Sequence, residues 1–251
     1  MRIDKFLAER YGSRNKAVKA IEGKLVLVNG KAVSASYEVK SDDRIEFFEA
    51  EESYVSAGGY KLSKALKDFG FDVNGKIIAD VGASTGGFTD CLLQNGAKKV
   101  YCIDVGESQL DNSLKNKNII VIDNFNARNL NAEMFTEKLD GVVIDVSFIS
   151  LTYILGAVAS LLDSGRHVLA LIKPQFECES RRVGKNGIVR DGKIHKSIIE
   201  KICNFSASVG LAPKKLTNAP VFKDKNMEYV ILLEKDGICE KNENLLKCIK
   251  I

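Results

Sequence analysis

The chain has 251 residues, enough for one large domain together with a small one. Hydrophobic residues make up 45% of it and charged residues 28%, and no apolar run has the length of a signal-peptide core or a transmembrane span, so we expect a globular cytoplasmic protein. The formal net charge is only +4, and the six cysteines have no C-x-x-C spacing, so neither a strongly charged chain nor a metal site is predicted.

Basic residues are concentrated in two stretches. Residues 2–31 contain eight lysines and arginines against three acids. The second cluster, opposed only by Asp191, consists of Arg181, Arg182, Lys185, Arg190, Lys193 and Lys196. Uneven positive charge suggests a polyanionic partner, although charge alone leaves a solvated surface as the alternative.

The first fifty residues predict a small α+β module. Hydrophobic residues at helical spacing indicate a helix over 2–11, and Ser13 is suited to cap a second helix that ends at Gly23. An apolar run over 25–28 then leads into an Asn-Gly pair, which is a strong hairpin signal. Apolar residues spaced between Val33 and Phe47 indicate further short strands.

Residues 1–48 resemble the S4 RNA-binding family. The resemblance rests on the ordered blocks R-I-D-K-F-L, S-R-N-K-A-V-K-A-I, G-K-L-V-L-V-N-G and K-S-D-D-R-I. It implies that the helix pair contacts RNA phosphates through Arg2, Lys5, Arg14, Lys16 and Lys19. The following residues, 49–60, are acidic and contain glycine, which indicates a linker, and Lys61 is predicted to open the next helix.

A strand, a glycine-containing loop and a helix are predicted in succession from Ile77. The strand ends at Asp80, and the loop that follows contains Gly82, Ala83, Ser84, Thr85, Gly86, Gly87 and Phe88. Asp104, at the end of the next strand, has the spacing of an acid that binds ribose hydroxyls, so the pattern predicts a nucleoside cofactor. The charge of Asp80 favours a cationic ligand such as S-adenosylmethionine over a pyrophosphate, and a βα turn without a ligand is the alternative.

Four successive apolar strands end in an acid, and the fifth ends in a lysine. These residues are Asp80, Asp104, Asp123, Asp145 and Lys173. In a doubly wound sheet they share one crevice. The order fits an α/β fold, a Rossmann-like seven-stranded methyltransferase sheet with helices on both faces, in which Asp123 and Asn126 lie near the adenine. Residues 176–196 indicate a substrate-facing loop, 198–209 a helix, and Glu228 the start of a late strand.

Longer blocks in the same region resemble the TlyA (hemolysin A) family, which is related to the FtsJ ribose 2′-O-methyltransferases. They are Y-V-S-x-G-G-x-K-L, D-V-G-A-S-T-G-G-F-T-D-C-L-L-Q-x-G-A, D-V-S-F-I-S-L, K-P-Q-F-E and V-G-K-x-G-I-V-R-D. Members use S-adenosylmethionine to methylate the 2′-hydroxyl of a cytidine in ribosomal RNA. One departure is Ala57, where the family usually has arginine.

The resemblance, and not residue spacing, identifies the catalytic positions as Lys61, Asp145, Lys173 and Glu228. It implies that Lys173 acts as a base or hydrogen-bond acceptor, that Asp145 balances its charge, and that the other two hold the hydroxyl in line. Surface ion pairs are the alternative for Lys61 and Glu228.

The predicted division is an S4-like domain at 1–48, a linker at 49–60, an FtsJ-like methyltransferase domain at 61–236 and a tail at 237–251. The implied function is methylation of ribosomal RNA, with further RNA contacts from Arg181, Arg182, Lys185 and Arg190. Two other hypotheses stay open at this point. One is a membrane-active cytolysin, which the family's second name implies, and the other is an S-adenosylmethionine- and RNA-binding protein without turnover.

Overall fold

A computed structural model describes residues 1–22, 25–47, 54–114, 118–179, 183–184, 187–221 and 225–251. The chain separates into two compact units, Met1–Ser53 and Tyr54–Ile251. Among the helices in the described ranges, none is both long enough and apolar enough to cross a membrane.

The first unit packs two helices against a three-stranded antiparallel sheet of order β2-β1-β3. Its elements are α1 (Ile3–Phe6), α2 (Arg14–Glu22), β1 (Val26–Val28), β2 (Lys31–Ala32) and β3 (Ile45–Phe47). The Asn-Gly pair forms the β1–β2 turn, with φ of 52° at Asn29 and 74° at Gly30. The first helix is shorter than the predicted 2–11, because after Phe6 the backbone continues as turns to Gly12.

A buried carboxylate binds two arginines in this unit. Asp4 is 1% exposed and accepts hydrogen bonds from Arg2 Nη2 at 2.9 Å and from Arg14 Nη2 at 2.8 Å. The bond from Arg2, opposed by burial and reinforced by the bond from Arg14, lowers the pKa of Asp4 to about 2. The two arginines that the sequence assigns to RNA therefore also hold the unit together.

The second unit is built around a seven-stranded sheet of order β6-β5-β4-β7-β8-β10-β9. Its strands are β4 (Ile77–Val81), β5 (Lys99–Ile103), β6 (Ile119–Ile122), β7 (Gly141–Ile144), β8 (His167–Ile172), β9 (Leu211–Asn218) and β10 (Tyr229–Lys235). Its helices are α3 (Ala57–Phe69), α4 (Gly87–Gln94), α5 (Leu155–Ser160), α6 (Pro174–Glu177), α7 (Gly192–Ser208) and α8 (Asn242–Lys247).

Strands β4 to β8 are parallel, and β10 runs antiparallel between β8 and β9. The inner strand β4 is buried on both faces, since Ile77 and Ala79 join one hydrophobic cluster and Ile78 joins the other. The strand order reverses beside β4, where doubly wound sheets bind ligands at the carboxyl ends of the strands. The predicted fold class is confirmed.

Several predicted boundaries are wrong. Helix α3 begins at Ala57, so Tyr54–Tyr60 lie in the second unit rather than in a linker, and Lys61 lies in the second turn of α3 rather than opening it. Helix α7 begins at Gly192, where Asp191 accepts a hydrogen bond from Lys193 N, so the loop predicted over 176–196 is shorter at both ends. The predicted tail contains α8, whose Leu245 is buried.

Strand β9 is not predicted by the sequence pattern. It contains Pro213 and two lysines, which are unusual in a strand. It forms the edge of the sheet, and its register against β10 shifts between Leu232 and Leu233, where Lys215 and Pro213 are their partners. An edge position beside a bulge is where a strand tolerates proline.

We predict that Asp4→Asn destabilises the first unit at neutral pH. Because folding lowers the pKa of Asp4 from 3.8 to about 2, its stabilising effect is fully present above pH 3.8 and is lost as the pH falls toward 2. Thermal unfolding of the whole chain between pH 7 and pH 2 should show a deficit in the variant that shrinks in acid. Hydrogen exchange at pH 7 should assign the deficit to residues 1–47.

Asp163→Asn is the matched control, because Asp163 forms an exposed ion pair with Lys138. It should leave hydrogen exchange in residues 1–47 unchanged. Equal exchange in wild type and Asp4→Asn would contradict the structural role of Asp4.

Candidate active site

The glycine loop after β4 lies directly against the end of β7. Gly82 has φ of 86°, and a Cβ atom added there would be 2.8 Å from the backbone oxygen of Asp145. Gly86 has φ of 91°, and a Cβ atom there would be 2.4 Å from Leu114 Cδ1. Both positions therefore need glycine for conformation and for space. The loop is held at the point where β4 and β7 end.

Asp104 joins this loop to the end of β5. One carboxylate oxygen accepts a hydrogen bond from Ser84 N at 2.8 Å and the other accepts one from Gly106 N at 2.8 Å. Each oxygen has a second lone pair, so hydroxyl groups of a ligand can still donate to it. Asp104 lines a cavity of about 480 Å³ together with Gly82, Ser84, Val105, Phe125, Asn126, Asp145 and Phe148.

Asp123 and Asn126 follow β6 and have different surroundings. Asn126 lines the large cavity, and its Oδ1 accepts a hydrogen bond from Arg128 N at 3.0 Å. Asp123 Oδ2 instead accepts from Ser108 N at 3.0 Å, which fixes the loop after β5. Of the two residues predicted near the adenine, Asn126 is therefore on the cavity wall and Asp123 supports that wall.

Asp80, predicted to place a negative charge near the site, is completely shielded from solvent. Its Oδ2 accepts a hydrogen bond from Thr89 Oγ1 at 2.7 Å. Burial raises the pKa of Asp80 to about 7, with the bond from Thr89 opposing the rise and the charge of Asp145 adding to it. The carboxyl group lies beneath the glycine loop, where it links β4 to α4.

A second cavity, of about 140 Å³, adjoins the first, since Gly82, Ser84, Asp145 and Ser147 line both. The first turns of α3 and α4 meet at this cavity. A Cβ atom at Gly87 would be 2.1 Å from Ser56 Oγ and 2.9 Å from Gly59 N, so only glycine permits the contact. The N-terminal ends of two helices therefore border one small space, and helix N-termini favour an anionic group.

The four residues that the resemblance assigns to catalysis form two ion pairs. Lys173 Nζ lies 2.6 Å from Asp145 Oδ1 and donates to Ser147 Oγ at 2.9 Å. Lys61 Nζ donates to Glu228 Oε2 at 2.6 Å. All four side chains are at most 19% exposed, so neither pair is a solvated surface pair.

The two ion pairs are coupled electrostatically at Asp145. Burial raises the pKa of Asp145, while the charges of Lys173 and Lys61 act to lower it and that of Glu228 acts to raise it. The structure thus brings together side chains from α3, the end of β7, the end of β8 and the start of β10.

The sequence analysis gave no role to three polar residues in this region. Ser147 contacts Lys173, Gln175 Nε2 donates to Glu228 Oε1 at 3.2 Å, and Ser56 lines the small cavity. All three lie inside the sequence blocks quoted above, each of which also contains an assigned residue. Their position in those blocks was the available signal.

The structure describes some of the residues that are predicted to bind RNA. Lys5, Arg14 and Lys16 are exposed, Arg2 is half-exposed, and Lys19 lies within α2. Arg190 is exposed beside the cap of α7. Arg181, Arg182 and Lys185 lie outside the described residues.

We predict that Gly82→Ala costs more stability than Gly75→Ala. Both glycines have positive φ, 86° and 70°, so both substitutions incur about 1–2 kcal/mol of backbone strain. Only at Gly82 does the new methyl group also meet backbone atoms, whereas Gly75 has open space around it. Thermal unfolding should show at least twice the loss in Tm for Gly82→Ala, and equal losses would contradict the close packing of β4 on β7.

Comparisons with known proteins agree with this geometry. Residues 54–235 match the FtsJ-like methyltransferase family and residues 1–45 match the S4 domain. The chain is 43% identical to Hemolysin A of Brachyspira hyodysenteriae over 92% of its own length and 98% of that protein. It is 34% identical to the 23S rRNA (cytidine-2′-O)-methyltransferase TlyA of Campylobacter jejuni, over 91% and 97% of the two chains.

The crystal structure of a candidate hemolysin from Lactococcus lactis superposes with a TM-score of 0.73 at 44% identity, covering 77% of this chain and 97% of that one. The resemblances drawn from the sequence blocks are confirmed. The chain therefore belongs to the FtsJ-like methyltransferase family, in the group of S4-containing proteins that includes Hemolysin A and TlyA, and S-adenosylmethionine is its methyl donor.

Proposed function

We propose that this protein transfers a methyl group from S-adenosylmethionine to a ribose 2′-hydroxyl of ribosomal RNA, on a cytidine. The observation that carries the proposal is the Lys173–Asp145 ion pair, because Asp145 lines both adjoining cavities. A reacting oxygen and a methyl donor have to meet at such a junction. The name and activity of the Campylobacter relative support the choice of substrate.

The residues around the two cavities fit the donor. Asp104 offers acceptors to ribose hydroxyls, Asn126 lies on the wall of the large cavity, and the helix starts at the small cavity suit a carboxylate. Because the glycines of the loop have no Cβ atom, the loop backbone can lie close to a bound donor. When bound, S-adenosylmethionine supplies a methyl group on a positively charged sulfur.

In this proposal Lys173 and Asp145 control the proton of the ribose hydroxyl. A hydroxyl is a poor nucleophile, so its oxygen reacts well only when its proton is held or removed. Lys173 Nζ contacts Asp145 and Ser147, so as a neutral amine, after releasing one proton to solvent, it would keep two N–H groups for these partners and direct its lone pair at the hydroxyl proton, which it then takes up. The pair acts as one unit, with Asp145 balancing the charge that changes as the proton moves.

Lys61 and Glu228 orient the hydroxyl in the same proposal. Their side chains come from α3 and from the start of β10, and Gln175 fixes the second carboxylate oxygen of Glu228. Both partners are at most 15% exposed, so their geometry is set by packing rather than by solvent. Rigid support of this kind is what an in-line attack on a methyl group needs.

Two aromatic side chains next to the site support a nucleotide substrate. Phe148 is 90% exposed, has φ of 64°, and lies with its ring centroid 5.0 Å from that of Phe176. A bulky residue in the left-handed region is strained, and such strain is typical of functional loops. An exposed ring beside Asp145 offers a stacking surface for a base.

The first unit supplies RNA affinity in this proposal. Lys5 and Lys16 are exposed, and Arg2 and Arg14 are fixed by Asp4 with about half of each side chain still accessible. These residues would contact phosphates, as would Arg190 and the basic residues at 181, 182 and 185. Ribosomal subunits, and hence the cytoplasm, are the proposed partner and place of action.

The cytolysin hypothesis rests on the name of the Brachyspira relative. The family match over residues 54–235 and the buried ion pairs favour methyl transfer instead. Leakage of dye from vesicles caused by purified Lys173→Ala protein would revive the cytolysin hypothesis. Binding of donor and RNA without any methyl transfer would support a protein without turnover.

We predict that Lys173→Ala lowers the rate of methyl transfer by about a hundredfold or more, the usual range for loss of a proton-transferring group. The assay offers labelled S-adenosylmethionine with small subunits, large subunits and free rRNA, followed by mapping of 2′-O-methyl groups. Lys215→Ala is the control, because Lys215 donates to Phe69 O within the second unit. Equal rates for wild type and Lys173→Ala would contradict the proposal.

We also predict that the double substitution Lys5→Ala and Lys16→Ala weakens rRNA binding in a salt-dependent way. Each lost phosphate contact reduces the slope of log affinity against log salt by about 0.7–0.9. Filter binding between 50 and 300 mM salt should therefore show a slope reduced by about one to two. Lys98→Ala with Lys241→Ala removes the same charge from exposed positions in the second unit and should change the slope less.

A further inference from the structure

Glu177 is the last residue of the K-P-Q-F-E block and has no role in the proposed chemistry. It ends α6, the short helix that Pro174 begins directly after Lys173. Its side chain is 2% exposed. A carboxylate is very rarely buried to this extent without strong partners, so the contacts of Glu177 indicate what it holds.

The carboxylate of Glu177 binds three groups from two other segments. Oε1 accepts from Leu151 N at 2.7 Å, and Oε2 accepts from Ser150 Oγ at 2.5 Å. Lys201 of α7 donates to Oε2 at 3.2 Å and to the backbone oxygen of Glu177 at 3.1 Å. These charge-assisted bonds fix the far end of the loop that follows β7.

That loop, residues 145–150, carries the functional groups described above. At its near end, Asp145 and Ser147 contact Lys173, and in its middle lies the strained, exposed Phe148. The ring of Phe148 packs on Phe176, which is the neighbour of Glu177. The loop is thus tied to the Lys173–α6 segment at both ends, by Lys173 at one end and by Glu177 at the other.

We infer that Glu177 is a positioning residue for methyl transfer, which locks the 145–150 loop to α6 and so fixes both the Lys173–Asp145 pair and the Phe148–Phe176 pair. The inference rests on the proposed function. Glu177 acts through the loop and does not touch the reacting atoms. Its loss should therefore reduce turnover more than it reduces binding of the methyl donor, because the polar groups proposed to bind the donor lie on the glycine loop and on Asp104, and the 145–150 loop forms only part of the cavity wall.

The test is Glu177→Gln, which keeps the size of the side chain and an acceptor for Leu151 N but removes the charge that Lys201 and Ser150 contact. We expect the methyl-transfer kcat on ribosomal subunits to fall by about tenfold to a hundredfold. The affinity for S-adenosylmethionine, measured by calorimetry, should stay within twofold of wild type. Hydrogen exchange should rise in residues 145–151.

Glu234→Gln is the matched control, because Glu234 pairs with Lys214 at 3.1 Å on β10, outside the site. It should match the change in charge and leave kcat unchanged. Ser150→Ala keeps the Glu177–Lys201 pair and serves if Glu177→Gln folds poorly. It should lower kcat, and its effect should not add to that of Glu177→Gln.

A wild-type kcat for folded Glu177→Gln or Ser150→Ala, in an assay where Lys173→Ala is inactive, would overturn the inference and leave the proposed function standing. A parallel fall of kcat and donor affinity would also overturn it, because that result indicates general loosening. Absence of methyl transfer by wild type on every ribosomal substrate would instead count against the proposed function.

Discussion

The close approach of Gly82 to the backbone of Asp145 is the constraint on which the site depends. A side chain at Gly82 would start 2.8 Å from the Asp145 carbonyl oxygen, so the glycine loop and the end of β7 can adjoin only if residue 82 has no Cβ. This contact brings the glycine loop that follows β4 beside Asp145, the acid at the end of the neighbouring strand β7. The two cavities share both residues, so the positions of the glycine loop and of Asp145 are fixed relative to each other.

The sequence predicted the fold well because the strands of the parallel sheet are buried on both faces and appear as apolar runs ending in polar residues. Strand β9 has no such apolar run. Its proline and lysines instead suit a bulged strand at the edge of the sheet. The predicted helices α3 and α7 also begin several residues later than the observed ones. The glycines at 58 and 59 resembled a linker, yet a Cβ atom at Gly59 would be 2.3 Å from Tyr54, so Gly59 is required for packing.

The site residues differ in how far sequence spacing alone could identify them. Asp104 and the glycine loop could be predicted from spacing, because both stand at fixed distances from a strand end. Lys61 and Glu228 could not, since they are 167 positions apart and meet only through the tertiary fold. Asp80 was correctly located at a strand end, but its side chain points to Thr89 beneath the loop. Periodicity gives a residue's strand position without fixing the environment of its carboxyl group.

The charge balance of the site explains why burial of so many acids is tolerable. Among the described residues, Lys61 and Lys173 pair with Glu228 and Asp145, and Arg128 lines the large cavity with Asp104, so three cations lie near four carboxyl groups when Asp80 is included. The charges of Asp145 and Asp104 help burial to raise the pKa of Asp80 to about 7, and partial protonation there removes some of the excess. A site without an excess of positive charge favours a donor with a cationic sulfur over a phosphorylated nucleotide. The negative charges of Asp145 and Asp104, which help burial to disfavour ionisation of Asp80, thus also favour a cationic donor.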